Sequence, residues 1–285
     1  MNPYQHFVAE SARLVKEGKT YPLGKFPRLP RPDIAADAPK VLIFSPHPDD
    51  EVIVGGLPLR LLREAKWNVI NVAVTQGSNV ERKTGRLAEL KACCDCIGFG
   101  LVTTAPGGLD HVNVKSREDD PGHWAQSVKV VASILAEQQP EVIFCPHDAD
   151  WNSTHIGTHH LVMDALKILP ANFECHMVET EFWGAMWSPN LMVEISAQDL
   201  GDLITALTFH VVEVQRNPYH LSLPAWMQDN VRRGGEIVGG QGGAVPDYVF
   251  ATLYRLQRWR QGRLEKTFKG GRQLGARQNA AELFA

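Results

Sequence analysis

Apolar residues along this chain fall into two alternating patterns. Continuous runs occur at Val41-Leu42-Ile43-Phe44, Val69-Ile70-Asn71-Val72-Ala73-Val74 and Val142-Ile143-Phe144-Cys145, as expected of parallel strands buried on both faces. Weaker runs follow around Met177-Val178-Glu179-Thr180 and Leu191-Met192-Val193-Glu194-Ile195. Between them, apolar positions recur every three or four residues. Leu87, Leu90, Cys94 and Ile97 are stopped by Gly98, Val128, Val131, Ile134 and Leu135 by Pro140, and Leu161, Val162, Ala165 and Leu166 by Pro170. Such spacing lines one face of a helix. Strands and helices alternating over short connections predict an α/β, Rossmann-like three-layer fold with a mainly parallel sheet.

The flanks read differently. Residues 4–17 predict a short amphipathic helix, with Phe7, Val8, Leu14 and Val15 apolar among charges. Pro22, Pro27, Pro30, Pro32 and Pro39 then exclude helix or central strand, leaving an extended arm laid over the domain. The expected organisation is a helix and proline-rich arm over 1–39, one α/β domain over 40–260 and a charged tail over 261–285. Gly234-Gly235, Gly239-Gly240 and Gly242-Gly243 predict a mobile or tightly turning loop. They lack the G-x-G-x-x-G spacing after a strand, so a nucleotide-binding reading is set aside.

Composition narrows the partners. With 29 basic against 32 acidic residues, a net charge of −3 argues against a nucleic-acid surface. No apolar run is long enough for an integral membrane segment. Glu10, Arg13, Lys16, Glu17 and Lys19 occupy the stretch where a signal peptide needs its apolar core, so the expected location is cytoplasmic. The cysteines are 5 in number, with Cys93, Cys94 and Cys96 crowded together. They read as small apolar side chains on a helix rather than a disulfide framework or zinc ribbon.

Chemistry concentrates at two strand ends. Directly after the first run comes Ser45-Pro46-His47-Pro48-Asp49-Asp50-Glu51. In open α/β sheets that edge carries the ligand crevice. An imidazole beside two carboxylates is a partial zinc site, with one carboxylate free to bind metal and the other to move protons. Carboxylates that only cap a helix N-terminus are the alternative. The second stretch, Pro146-His147-Asp148-Ala149-Asp150-Trp151-Asn152-Ser153-Thr154-His155-Ile156-Gly157-Thr158-His159-His160, holds four of the chain's 11 histidines. A helix starting near Thr154 puts His155 and His159 one turn apart on one face, one to bind a metal and the other to address a substrate.

These residues resemble the LmbE/PIG-L deacetylases, zinc enzymes acting on N-acetylated sugars. His47-Pro48-Asp49-Asp50-Glu51 is similar to the family signature, Thr75-Gln76-Gly77 to its Thr-x-Gly turn, and Arg86-Leu87-Ala88-Glu89 to its Arg-x-x-Glu helix. Val245-Pro246-Asp247-Tyr248-Val249-Phe250 is loosely similar to its C-terminal region, so the resemblance spans roughly residues 40–250. The departure lies at the second histidine element, where His155 and His159 stand one residue too far apart. Alignment from the following helix puts the metal ligand at His159 and the upstream catalytic histidine at His155, with His160 and then His147 as alternative ligands.

The resemblance implies one Zn2+ per chain, held by His47, Asp50 and His159, at the carboxyl ends of the strands. Iron or cobalt could take the same ligands. Asp49 is expected as general base and His155 as the group that stabilises the oxyanion or donates a proton. Arg86 is expected to reach substrate, and Asp110 to line the substrate site as the acidic partner that orients His155. His210 reads as structural, Trp183, Trp187 and Trp226 as either sugar-stacking or buried, and Glu51 as supporting. The implied activity is metal-dependent hydrolysis of a linear amide, removing acetyl from an N-acetylglucosamine-type sugar or conjugate. Two alternatives share the fold: a zinc amidase on a non-sugar or thiol-conjugate amide, and an inactive zinc-binding module.

Overall fold

The computed structural model describes residues 2–285. Five strands form the parallel part of the sheet: β1 (Lys40–Ser45), β2 (Asn68–Ala73), β3 (Gly100–Thr103), β4 (Val142–Pro146) and β5 (Cys175–Thr180). Four more follow in the chain: β6 (Leu191–Glu194), β7 (Ala251–Arg260), β8 (Arg263–Lys266) and β9 (Arg272–Leu274). The order across the sheet is β3-β2-β1-β4-β5-β7-β6-β9, with β8 paired to β7. β7 runs antiparallel to β5 and to β6, whereas β9 is parallel to β6.

Ten α-helices accompany the strands: α1 (Pro3–Gly18), α2 (Asp50–Ile53), α3 (Gly56–Glu64), α4 (Lys83–Ile97) and α5 (Val114–Asp119), then α6 (Pro121–Gln138), α7 (Ser153–Ile168), α8 (Ala197–Leu207), α9 (Val211–Arg216) and α10 (Leu223–Ile237). Strand side chains alternate between faces, and each face meets its own helices. Val41 and Ile43 of β1 join a core with Leu57 and Leu61 of α3, Leu90 of α4 and Leu203 of α8. Leu42 faces the opposite way, into a core with Val131 and Leu135 of α6 and Leu161 and Ala165 of α7. The three-layer, mainly parallel α/β fold expected from the apolar runs is therefore the fold observed.

This topology creates the crevice. From β1 the chain pairs outward to β2 on one side, and β4 pairs with β1 on the other. Loops leaving β1 and β4 at their carboxyl ends thus diverge at a topological switch point, where α/β sheets bind ligands. Both histidine-bearing stretches occupy those two loops.

Two sequence expectations are corrected, and a third, the amphipathic helix, is met. The stretch read as a charged tail contributes β8 and β9 to the sheet and buries Leu283 and Phe284. Its charges sit on outward positions, and on neighbouring β7 Arg258 and Arg260 share Glu174. Gly234 and Gly235 lie inside α10 rather than in a loop, and at 234 glycine serves close packing, since a Cβ there would collide with Met192 of β6. Finally, α1 forms as the periodicity implies, yet Tyr4, Phe7, Val8, Leu14 and Val15 are all exposed, so its apolar face covers none of the described core.

Candidate metal centre and cavity

The loop after β1 is tightly determined. Pro46 and Pro48 restrict it, and Asp49 between β1 and α2 takes φ +122°, a conformation that costs a side-chain-bearing residue about 1–3 kcal/mol. Surrounding bonds hold it there. The backbone N–H of Asp49 donates to Glu51 Oε2 at 2.9 Å, and Glu51 Oε1 lies 2.7 Å from His210 Nε2. Thr75 Oγ1 donates to the Pro46 carbonyl at 2.7 Å, and Arg86 Nη2 to the Pro48 carbonyl at 3.0 Å. Gly77 leaves room for that guanidinium, since a Cβ there would strike it.

The result is a triangle of ligand-type atoms. His47 Nδ1 lies 3.2 Å from His155 Nε2 and 3.4 Å from Asp50 Oδ2, while His155 Nε2 and Asp50 Oδ2 are 3.3 Å apart. A tetrahedral ion with bonds of about 2.0–2.1 Å needs ligand atoms roughly 3.3–3.4 Å from one another. The three edges fit that requirement, and two imidazole nitrogens with one carboxylate oxygen form a donor set suited to a first-row transition metal. His155 is completely buried, packed edge-on against Phe182 with ring centroids 4.9 Å apart. Behind it, Asp150 Oδ1 lies 3.6 Å from Nδ1, and that carboxylate is itself fixed by the N–H groups of Asn152, Trp183 and Gly184. A carboxylate behind an imidazole orients the ring and makes its other nitrogen a better ligand.

His159 is not brought to this triangle. Its Nδ1 lies 3.1 Å from the Pro146 carbonyl and 3.4 Å from Glu179 Oε1, and Glu179 is paired with Arg255. The four residues from His155 to His159 advance about 6 Å along the helix axis. The first turn of α7 stands at the strand ends beside the β1 loop, and the second has already descended alongside β4 and β5. His155 therefore occupies the position expected of the ligand, and His159 belongs to a buried polar cluster. His160 packs on His159 with ring centroids 5.3 Å apart, and His147 is buried with Nε2 2.9 Å from the Gly184 carbonyl. Asp110 also departs from expectation: Lys83 pairs with it at 2.6 Å on the surface, and the acid facing His155 is Asp150. A second buried group, Glu51, Cys93 and His210, has metal-ligand types close together, but Glu51 already accepts from His210 and the Asp49 amide.

The two neighbouring aspartates are driven apart electrostatically. Burial and the Asp50 charge raise Asp49 to about 7, against the lowering effects of His210 and a 2.6 Å hydrogen bond from the Tyr219 hydroxyl. Asp50 is shifted the other way: burial opposes its ionisation, but His155 and His47 outweigh it. Burial pulls His155 down, yet Asp50 and Asp150 prevail and raise it to about 10. A cation bound at Nε2 would replace the proton facing Asp50 and leave the Nδ1 proton facing Asp150.

A cavity of about 370 Å³ opens over the triangle, lined by His47, Asp49 and Asp50 at one side and by Arg82, Arg86 and Arg216 elsewhere. Asn152 lines it too, its Oδ1 capping α7 by accepting from the Thr154 N–H. A second, more apolar cavity of about 230 Å³ adjoins it across Trp183, with Phe182, Tyr219, Leu223 and Trp226 in its wall. Trp187, by contrast, is exposed and lines neither. Sequence reading missed Asp150, Asn152 and Tyr219. The first two stand in the histidine stretch, where the Asn-x-x-His spacing ahead of a helix was the available signal; nothing local marks Tyr219.

Residues 42–166 match the family model described as PIG-L: GlcNAc-PI de-N-acetylase. No curated protein matches the chain in sequence. Among solved structures, the N,N'-diacetylchitobiose deacetylase of Pyrococcus horikoshii aligns with a TM-score of 0.55 at 17% identity, covering 88% of this chain and 92% of that one. The 4-carboxy-2-hydroxymuconate hydratase of Pseudomonas putida reaches a TM-score of 0.57 at 14% identity, over 76% of this chain and 95% of that one. A conserved protein of Thermus thermophilus gives 0.51 at 20% identity, over 75% and 93%. A deacetylase and a hydratase thus share this fold, and reaction class has to be argued from the site.

Proposed function

We propose, for a chain whose residues 42–166 match the PIG-L family model, a zinc-dependent hydrolase that removes the acetyl group from an N-acetylated amino sugar or its conjugate. The reading rests above all on the His47–Asp50–His155 triangle with a separate carboxylate, Asp49, beside it, which burial and the Asp50 charge raise to about 7. His47, Asp50 and His155 would hold the metal, which when bound polarises the amide carbonyl and lowers the pKa of water from 15.7 towards about 7.

The remaining roles fall to the chain's own side chains. Asp49 takes the proton of the attacking water and later returns it to the departing amine, the task of a general base whose pKa lies near the working pH. Tyr219 aims that carboxylate through its hydroxyl. Asn152, with Oδ1 spent on the helix cap, offers Nδ2 to the carbonyl oxygen as negative charge develops there. Asp150 sets its charge behind Nδ1 of the His155 ring, and Trp183 lines the cavity wall.

Acetate release tests the reaction, using a panel of N-acetylated sugars with metal-stripped and zinc-restored protein side by side. Zinc-dependent release is the expected result; a silent panel with zinc bound would reject the sugar deacetylase reading. The apolar cavity beside Trp183 favours one second reading, an amidase on a non-sugar amide, which simple N-acetyl arylamines in the same panel would reveal.

The acid limb of kcat/KM is expected at or below pH 7. Burial beside Asp50 raises Asp49 to about 7 without a cation, and a positive charge nearby lowers it. Loss of the Tyr219 hydroxyl removes a hydrogen bond to the ionised form, so Tyr219→Phe should move the limb to higher pH. A pH–rate profile of both proteins checks this, and coincident limbs would remove Tyr219 from the role.

A further inference from the structure

Charge is distributed unevenly around the main cavity. Asp49 and Asp50 stand on the metal side, and Glu213 is the other carboxylate in the lining, facing Arg82, Arg86 and Arg216. Glu213 is mostly buried and already engaged by two of these cations, accepting from Arg82 Nη2 at 2.5 Å and from Arg216. Arg86 has no carboxylate partner among the described residues. Its hydrogen bond to the Pro48 carbonyl uses one of five guanidinium donors. Lys83 does not add to the cluster, being paired with Asp110. Gln76 lines the same cavity, almost fully buried, and neither atom of its side-chain amide has a hydrogen-bond partner. Away from Asp49 and Asp50, three guanidiniums face the one carboxylate of Glu213, and with an unpaired amide in the same lining they are poorly matched to a neutral ligand.

We propose that the substrate carries an anionic group, a carboxylate or a phosphate ester, bound by Arg86 together with Arg82 and Arg216 while its acetamido group lies at the His47–Asp50–His155 side. The inference rests on the deacetylase reading for its orientation. Guanidiniums present paired donors that match the oxygens of either anion. The same cavity repels an anion at its other side, where Asp49 and Asp50 stand, so the charge also orients the substrate. Arg86 donates to the carbonyl of Pro48, the residue before Asp49, and lines the cavity together with Arg82, Glu213 and Arg216, so it links the reacting side to the paired cations.

The test compares kcat/KM of zinc-loaded protein on N-acetylglucosamine, N-acetylglucosamine 6-phosphate and N-acetylmuramic acid. One anionic sugar should exceed the neutral one by about 10- to 100-fold, the scale of charge-assisted hydrogen bonds, and the phosphate and carboxylate arms separate the two sources. Arg216 is largely exposed, so Arg216→Gln should fold and should reduce that ratio, as should Arg82→Gln. Equal kcat/KM for all three sugars, or a ratio unchanged in both variants, would overturn the proposal. If no sugar is hydrolysed, the deacetylase reading fails while the anion site remains testable by calorimetric titration of glucosamine 6-phosphate, muramic acid and glucosamine. Tighter binding of one anion, weakened by Arg216→Gln, would sustain the site; equal binding of all three would overturn it.

Discussion

Replacing Asp49 by asparagine is expected to leave zinc bound and to lower kcat by about 10²–10⁴-fold, the usual contribution of a positioned general base. None of the three converging ligand atoms belongs to Asp49, so metal stoichiometry should stay at the wild-type value. Asparagine keeps the shape and can still accept from the Tyr219 hydroxyl, but it cannot take a proton. The substitution also removes a buried carboxylate that stands beside Asp50 and resists ionisation, so the thermal midpoint should hold or rise. Activity lost with stability retained is the pattern of a group that is costly to keep and needed for turnover. Near wild-type turnover in Asp49→Asn would move the base elsewhere.

The second large effect separates two histidines of one helix. His155→Ala should abolish stoichiometric zinc and with it acetate release. It should also destabilise the metal-free protein by about 3–5 kcal/mol, because Asp50 and Asp150 would lose the cation that compensates them in a buried setting. His159→Ala should keep its zinc and lose about 1–2 kcal/mol through the broken bond to the Pro146 carbonyl. Metal analysis by mass spectrometry and urea unfolding of both variants decide between them. Zinc retained in His155→Ala but lost in His159→Ala would restore the assignment drawn from the helix alignment.

Much of the frame was legible in the residues. Continuous apolar runs marked β1, β2 and β4 because strands covered on both faces tolerate little else. Three- and four-residue spacing marked α4, α6 and α7. β7 was missed: Leu253 is buried in one core and Tyr254 and Leu256 in another, but Arg255, Arg258 and Arg260 interrupt the apolar run, and their carboxylate partners Glu179 and Glu174 are remote in sequence. The same kind of partnership hid Tyr219, which is 170 residues from Asp49. The glycine pair of α10 misled because a gap at a helix–sheet contact and a flexible turn favour the same residue.

The amino-acid sequence by itself determined which groups stand at the two strand ends: His47, Asp49 and Asp50 after β1, and a histidine-rich stretch after β4. Composition, strand burial and the Rossmann-like order of elements need only local physics, namely periodicity, chain stiffness and the separation of apolar from polar positions. Tertiary structure alone decided which histidine completes the triangle, which acid supports it and where the arginines gather. Those outcomes depend on the few ångströms by which one helical turn approaches or passes a neighbouring loop. Sequence spacing describes the face of a helix, whereas its height along the sheet is set by how α7 packs on β4 and on the Val112–Asn113 backbone, where Gly157 leaves no room for a Cβ. That height places His155, rather than His159, beside Asp50.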